Sequence, residues 1–181
     1  MWALNSFSSI LKSYMTRSLL SYFTEVSSQQ LTENYAVGSQ THPLDSNKAS
    51  NYAVEFFVND DNNGLPVLLL EIKPELNLRY ISTREGADMQ ARSRFSEVMN
   101  ENPSVSELFV ISAIGNHCCV YFGRRTAQGI EIVPAENLRD PRFVNDTAPV
   151  LWWNIDLLTD AGRTAIDAVF ERVKAIRPNM A

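Results

Sequence analysis

The chain has 181 residues, 45% of them hydrophobic and 20% charged, with a formal net charge of −5 at pH 7. That composition belongs to a globular chain long enough for one domain with a substantial core, and it excludes an intrinsically disordered one. The acidic balance also excludes a protein held to nucleic acid by bulk attraction, which needs a basic surplus, while leaving room for a local basic groove.

The two cysteines, Cys118 and Cys119, are adjacent. No disulfide framework can be drawn from them, and a reducing intracellular setting, cytoplasm or nucleus, is the default. His42 and His117 read as structural or exposed residues, and with no paired cysteine spacing a zinc site is not expected. No apolar run approaches the roughly 20 residues that cross a bilayer, so no membrane association is expected. The first residues lack the continuous apolar core of a secretory signal. They are Ser-rich, with Lys12 and Arg17 and no acid before Glu25, which is loosely like a mitochondrial transit peptide. The plainer reading is a packing helix over about 3–24, with Leu4, Phe7, Leu11, Met15 and Leu19 along one stripe.

Residues 25 to 35 continue that helix or begin a second one, and 36 to 50, with Gly38 and Pro43, read as loop, with room for a short strand near Tyr35 to Val37. Asn51 to Val58, rich in aromatic and β-branched residues, predicts a strand. Asn59 to Leu65 is turn chemistry, in which Asp60 and Asp61 read as solvated acids, and Val67 onward predicts the returning strand of a hairpin. Ser82-Thr83-Arg84-Glu85 has the form of a capping box, with Ser82 as N-cap of a helix reaching about Asn100. Ala87, Ala91, Phe95 and Val98 form its apolar stripe, with Gln90 and Arg94 one turn apart beside it. Leu108 to Ile114 and Cys118 to Phe122 predict two strands joined at Gly115-Asn116, with a further strand over Ile130 to Val133. Arg124-Arg125 reads as a solvated strand end, and Trp152-Trp153 as the cover of a core edge. Thr159 caps a last helix over about 160–176 that turns Ala165, Val169, Val173 and Ile176 inward. The fold class expected is α/β, a central mixed β-sheet flanked by helices, in a single domain over 1–181.

The chemistry concentrates in Pro66 to Pro74, P-V-L-L-L-E-I-K-P. Val67 to Leu70 are apolar on both faces of the pleat, the pattern of a strand buried on both sides. Alternation sends Glu71 and Lys73 to one face and Ile72 to the other. A carboxylate and an ammonium at the end of a buried strand carry a desolvation cost, tolerated for a structural ion pair or for a site. Pairing Val58 with Pro66 puts Asn51 opposite Lys73 and places Asn51 and Glu55 on the Glu71 face.

This arrangement resembles the restriction-endonuclease-like fold of the PD-(D/E)xK nuclease superfamily. The residues that carry the resemblance are Glu71-Ile72-Lys73 at the end of a central strand, followed by a helix with Ala87-Asp88-Met89-Gln90 and Arg94-Phe95 and then a strand pair. Over about 50–123 the chain is most similar to nuclease-like domains common in fungal proteins, in which an E-x-K-P strand precedes such a helix. The resemblance implies an α/β/α core, hydrolysis of a phosphodiester in DNA or RNA, and Mg²⁺ or Mn²⁺ as cofactor. It implies Glu71 as a metal ligand, Lys73 as the residue that orients the attacking water, and Gln90 as a helix residue reaching into the site. Hard divalent cations take carboxylate oxygens, which accords with those roles. It further implies a glutamate from the first helix, Glu33 or Glu25, as a ligand, and Arg84, Arg92 and Arg94 as phosphate contacts. Where the family opens its strand with Pro-Asp, this chain has Ser50-Asn51. Asn51 keeps a carbonyl oxygen and lacks the charge. Natural loss of activity, an inactivating Asp-to-Asn change, and replacement by Glu55 or Asp45 all stay open. Two functions follow as expectations: a metal-dependent nuclease, or a nuclease-fold module that no longer cuts and binds nucleic acid or protein. A homodimer is left open.

Overall fold

The structure, a computed structural model, describes residues 35–40, 54–60, 64–73, 78–143 and 145–176. The helix expected over about 3–24, and with it Glu25, Glu33, His42, Asp45 and Asn51, lies outside these residues. The described chain forms strands β1 (Tyr35–Gln40), β2 (Val54–Asp60) and β3 (Pro66–Lys73), helix α1 (Ile81–Glu101), strands β4 (Glu107–Ile114), β5 (His117–Thr126) and β6 (Gly129–Val133), a 3-10 turn (Val150–Trp152), strand β7 (Ile155–Asp156) and helix α2 (Asp160–Ile176).

The strands make one mixed sheet in the order β1-β2-β3-β4-β5-β6, with β7 also on β5. Every neighbouring pair is antiparallel except β3 and β4, which run parallel. A parallel pair needs a crossover, and α1 supplies it. All of β3 is buried, as is β4 beyond Glu107. This is the property that the continuous apolar runs in both segments encode.

Register and packing assign the faces. Leu69, Glu71 and Lys73 of β3 stand beside Val110, Ser112 and Ile114 of β4, which stand opposite Tyr121, Cys119 and His117 of β5. α1 covers this face: Arg92 lies over the Tyr121 ring, and a Cβ at Gly123 would run into the ring of Phe95. Phe109, Ile111 and Ala113 point the other way, and Glu107 on that side meets Arg172 of α2 at 3.9 Å. The two helices therefore flank the sheet, and the expected α/β class stands.

Several expectations need correction. The β2–β3 register pairs Val58 with Leu68 rather than with Pro66, because a bulge at Val58/Asn59 absorbs Val67 and brings position 55 opposite Glu71. Asp60 is no solvated turn acid: it is 2% exposed, and its backbone closes the hairpin through Asp60 N–H to Leu65 O at 2.9 Å and Gly64 N–H to Asp60 O at 2.7 Å. Ser82 does not cap α1. The N-cap is Tyr80, whose carbonyl accepts from Thr83 and Arg84 N–H, both at 3.2 Å, and no side chain caps the helix.

The capping glutamate is diverted. Glu85 instead accepts from Thr147 Oγ1 at 2.8 Å and from Arg139 at 2.9 Å, so the start of α1 is tied to the 139–148 segment. Thr159 does cap α2 through Gly162 N–H to Oγ1 at 3.0 Å, but the buried stripe is Gly162, Ile166, Phe170, Val173 and Ile176, with Ala165 and Val169 on its shoulder. Trp153 sits in the core rather than over its edge, and Trp152 is half-buried with Arg92 above its ring.

Candidate functional site

The site is built at the carboxyl end of β3, beside its parallel neighbour β4. In open α/β sheets this end of the parallel strands is where ligands bind. Gly115, at φ +62° in the two-residue turn between β4 and β5, donates its N–H to Lys73 O at 2.9 Å, so the tip of β3 is fixed to that turn. Strand alternation delivers Glu71 and Lys73 to the α1 face, where they are 4% and 5% exposed.

Lys73 Nζ is 2.5 Å from Glu71 Oε1 and donates to Gln90 Oε1 of α1 at 3.1 Å. Little water screens this pair. Its attraction is strong for that reason, and so is the cost of removing either partner. Glu71 and Lys73, expected on one face from strand alternation, stand together, and Gln90, which the resemblance brings to the site, is beside them. Ser112 lies next to Glu71 across the parallel pair and is fully buried, yet its hydroxyl has no hydrogen-bond partner among the described residues. An orphaned hydroxyl in such a place costs about 1–3 kcal/mol.

The arginines divide. Arg84 donates Nε to Ala148 O at 2.8 Å, Nη1 to Leu78 O at 2.8 Å, and Nη2 to Asp146. Arg92 grips both Asp88 oxygens from Nε, at 3.0 and 2.9 Å, and donates Nη2 to Pro134 O at 2.9 Å. Both are structural clamps between α1 and the segment that follows β6. Arg94 is partly exposed and pairs with Glu97 of its own helix at 2.5 Å. Arg124 bridges exposed to Glu131, as a solvated strand end does, while Arg125 reaches back to Met99 O.

Beside the Asp88–Arg92 pair, the α1 face of β5 carries buried, neutral groups. Burial pushes the Cys119 thiol up to about 12, and it pushes Cys118 and the Tyr121 phenol up as well, with Cys119 and Asp88 adding to the effect at Tyr121. These groups stay protonated near neutral pH, so neither cysteine is a thiolate nucleophile. At the far side of the β4–β5 turn, the Leu158 N–H, the Asn116 side chain and nearby His117 hold Asp156 below the usual carboxylate range.

Sequence reading missed Ser112, which sits as one hydroxyl in the otherwise apolar run Leu108 to Ile114. It also missed the buried pair Asp88–Arg92, although an i, i+4 acid and base were there to be counted. Among the described residues no three His, Cys, Asp or Glu side chains gather to hold a metal ion. Of the ligand set that the resemblance implies, Glu71 alone falls within them. Its hard oxygen suits Mg²⁺ or Mn²⁺ in kind. Comparison with protein-family models, with curated proteins and with solved structures finds no match to this chain.

Proposed function

We propose that the chain is a divalent-metal-dependent nuclease of the PD-(D/E)xK type, acting inside the cell on a DNA or RNA phosphodiester. The observation that carries this reading is the buried meeting of Glu71, Lys73 and Gln90 at the end of β3. The topology supports it, since an antiparallel hairpin bearing the charged strand is followed by a crossover helix and two more strands, the succession on which the resemblance rests.

In this reading Glu71 offers a carboxylate oxygen to Mg²⁺ or Mn²⁺, with Asn51 and Glu33 or Glu25 as further ligands. The cation supplies Lewis-acid stabilisation of charge on the phosphate. Gln90 offers its carbonyl oxygen to the Lys73 ammonium as a second acceptor beside Glu71, and would hold it while a cation takes the carboxylate, with an N–H of Lys73 left to orient a water. The buried layer beneath, closed by Tyr121, Cys119 and the Arg92 clamp, limits the access of bulk water and preserves the field of these charges.

The test is titration with Mn²⁺ followed by plasmid and RNA cleavage. The chain should bind the ion and cut, Lys73→Ala should abolish cutting, and Asn51→Asp should increase it. If neither the chain nor Asn51→Asp binds metal or cuts, the enzyme reading is wrong.

One observation favours a second reading. Lys73 already neutralises Glu71 at 2.5 Å within the protein, as a retained structural pair would in a nuclease-fold module that binds without cutting. Salt-sensitive nucleic-acid binding with no cleavage, in both the chain and Asn51→Asp, would select it.

A further inference from the structure

We infer that Ser112 is a positioning residue of the same site, whose hydroxyl holds the Glu71 carboxylate by hydrogen bonding when a divalent cation is bound. The inference rests on the proposed metal site and adds to it a residue that neither the spacing nor the E-x-K pattern indicates.

Ser112 is the one hydroxyl in a run of β4 that is otherwise Leu, Phe, Val, Ile and Ala, and its neighbour Ala113 shows that an alanine fits the same strand without a polar atom to satisfy. The side chain is fully buried, and among the described residues its oxygen has no hydrogen-bond partner. Buried hydroxyls are almost always bonded, and an exception calls for a ligand or a role. The parallel register sets Ser112 beside Glu71, and alternation turns both to the α1 face, so the hydroxyl stands next to the carboxylate in the adjoining strand.

On the other side Cys119 faces it, a thiol held neutral by burial and a weak partner at best. A serine hydroxyl reorients by rotation about a single side-chain bond. When a cation takes the Glu71 oxygen now facing Lys73, the carboxylate turns, and a donor one strand away fixes its new orientation. Groups that orient a metal ligand in this way typically change affinity by 10- to 100-fold when removed.

The test compares the full chain with Ser112→Ala and with Ser112→Cys, which keeps the size and offers a weaker donor. Mn²⁺ affinity is measured by calorimetry and by the electron paramagnetic resonance of the free ion, and melting temperature is measured without metal. The expected result is a split. Both variants melt at or above the temperature of the unaltered chain, because an unpaired hydroxyl has gone, while the Mn²⁺ Kd rises about tenfold or more. A structural role predicts the reverse, a lower melting temperature with Kd unchanged, and that result overturns the inference.

Glu71→Gln separates this failure from failure of the site itself. If Glu71→Gln weakens Mn²⁺ binding and the Ser112 variants do not, the metal site stands and Ser112 has no part in it. If the unaltered chain binds no Mn²⁺, the site and the inference fall together.

Discussion

Replacing Lys73 by methionine keeps the length of the side chain and removes its charge, which isolates the worth of the buried pair. Both partners are about 5% exposed, the separation is 2.5 Å, and the ammonium has a second acceptor in Gln90 at 3.1 Å. Lys73→Met therefore takes away, in a low-dielectric setting, the cation that faces the Glu71 carboxylate, a change that costs about 3–5 kcal/mol in buried pairs. At about 2–4 °C per kcal/mol for a domain of this size, the melting temperature should fall by about 6–20 °C. Glu71→Met should do comparable harm by stranding the ammonium. The double replacement should recover most of the loss, because an apolar pair of similar volume is often as stable as the ions it replaces. Urea denaturation of the four proteins closes a double-mutant cycle, in which the coupling should amount to several kcal/mol and change little with added salt. If the two single losses add to within about 0.5 kcal/mol of the double, the residues do not depend on each other, and the burial argument for the site is refuted.

Other outcomes follow from the same coordinates. At Gly86 in α1 a Cβ would have no neighbour within 4 Å among the described residues, so Gly86→Ala should stabilise by about 0.5–1 kcal/mol. At Gly162 the Cβ would run into the Asp156 carbonyl, so Gly162→Ala should instead cost about 1–3 kcal/mol, and the two melts should move in opposite directions. With Cys118 and Cys119 buried and their thiols raised by burial, an aromatic disulfide reagent should label neither until the protein unfolds, and rapid labelling in native buffer would contradict the assigned core. Glu85 is held below the usual carboxylate range, first by the Thr147 hydroxyl and then by Arg139. Its contribution is full above the unfolded value of about 4.3 and is lost as pH falls through the lower folded value. Glu85→Gln should therefore lower the melting temperature near neutral pH and flatten its fall below about pH 4.3, and parallel curves for the two proteins would remove Glu85 from the account.

The parts of the fold legible in the sequence are those in which local pattern and burial ask for the same thing. β3 and β4 are apolar on both faces because both faces are covered, and α1 buries Ala87, Ala91, Phe95 and Val98 on the stripe that their spacing describes. What stayed hidden depends on partners far along the chain. Ser82-Thr83-Arg84-Glu85 has every local mark of a cap, yet Thr147 and Arg139 claim the glutamate, and Arg84 is buried because Asp146 and Ala148 O come to it from more than 60 residues away. No window of sequence contains that competition. Arg84 and Arg92, plausible phosphate contacts by type, therefore have to be weighed against the segment they hold in place.

The hairpin shows why the centre of the site is legible even where its pairing is not. The bulge at Val58/Asn59 moves the β2–β3 register by two residues from the simple closure, yet a strand repeats its faces every second residue. A shift of two leaves every side chain on the face it already had, where a shift of one reverses them all. Glu71 and Lys73 are both set by their own strand and need no partner to share a face. Gln90 joins them because the crossover that a parallel β3–β4 pair requires lays α1 across that face. What the shift of two does alter is which position of β2 stands opposite the carboxylate. It is position 55, and not position 53, that now faces Glu71 across the hairpin. On the proposed nuclease reading, the register therefore puts Glu55, one of the acids weighed in place of Asn51, at the position opposite Glu71.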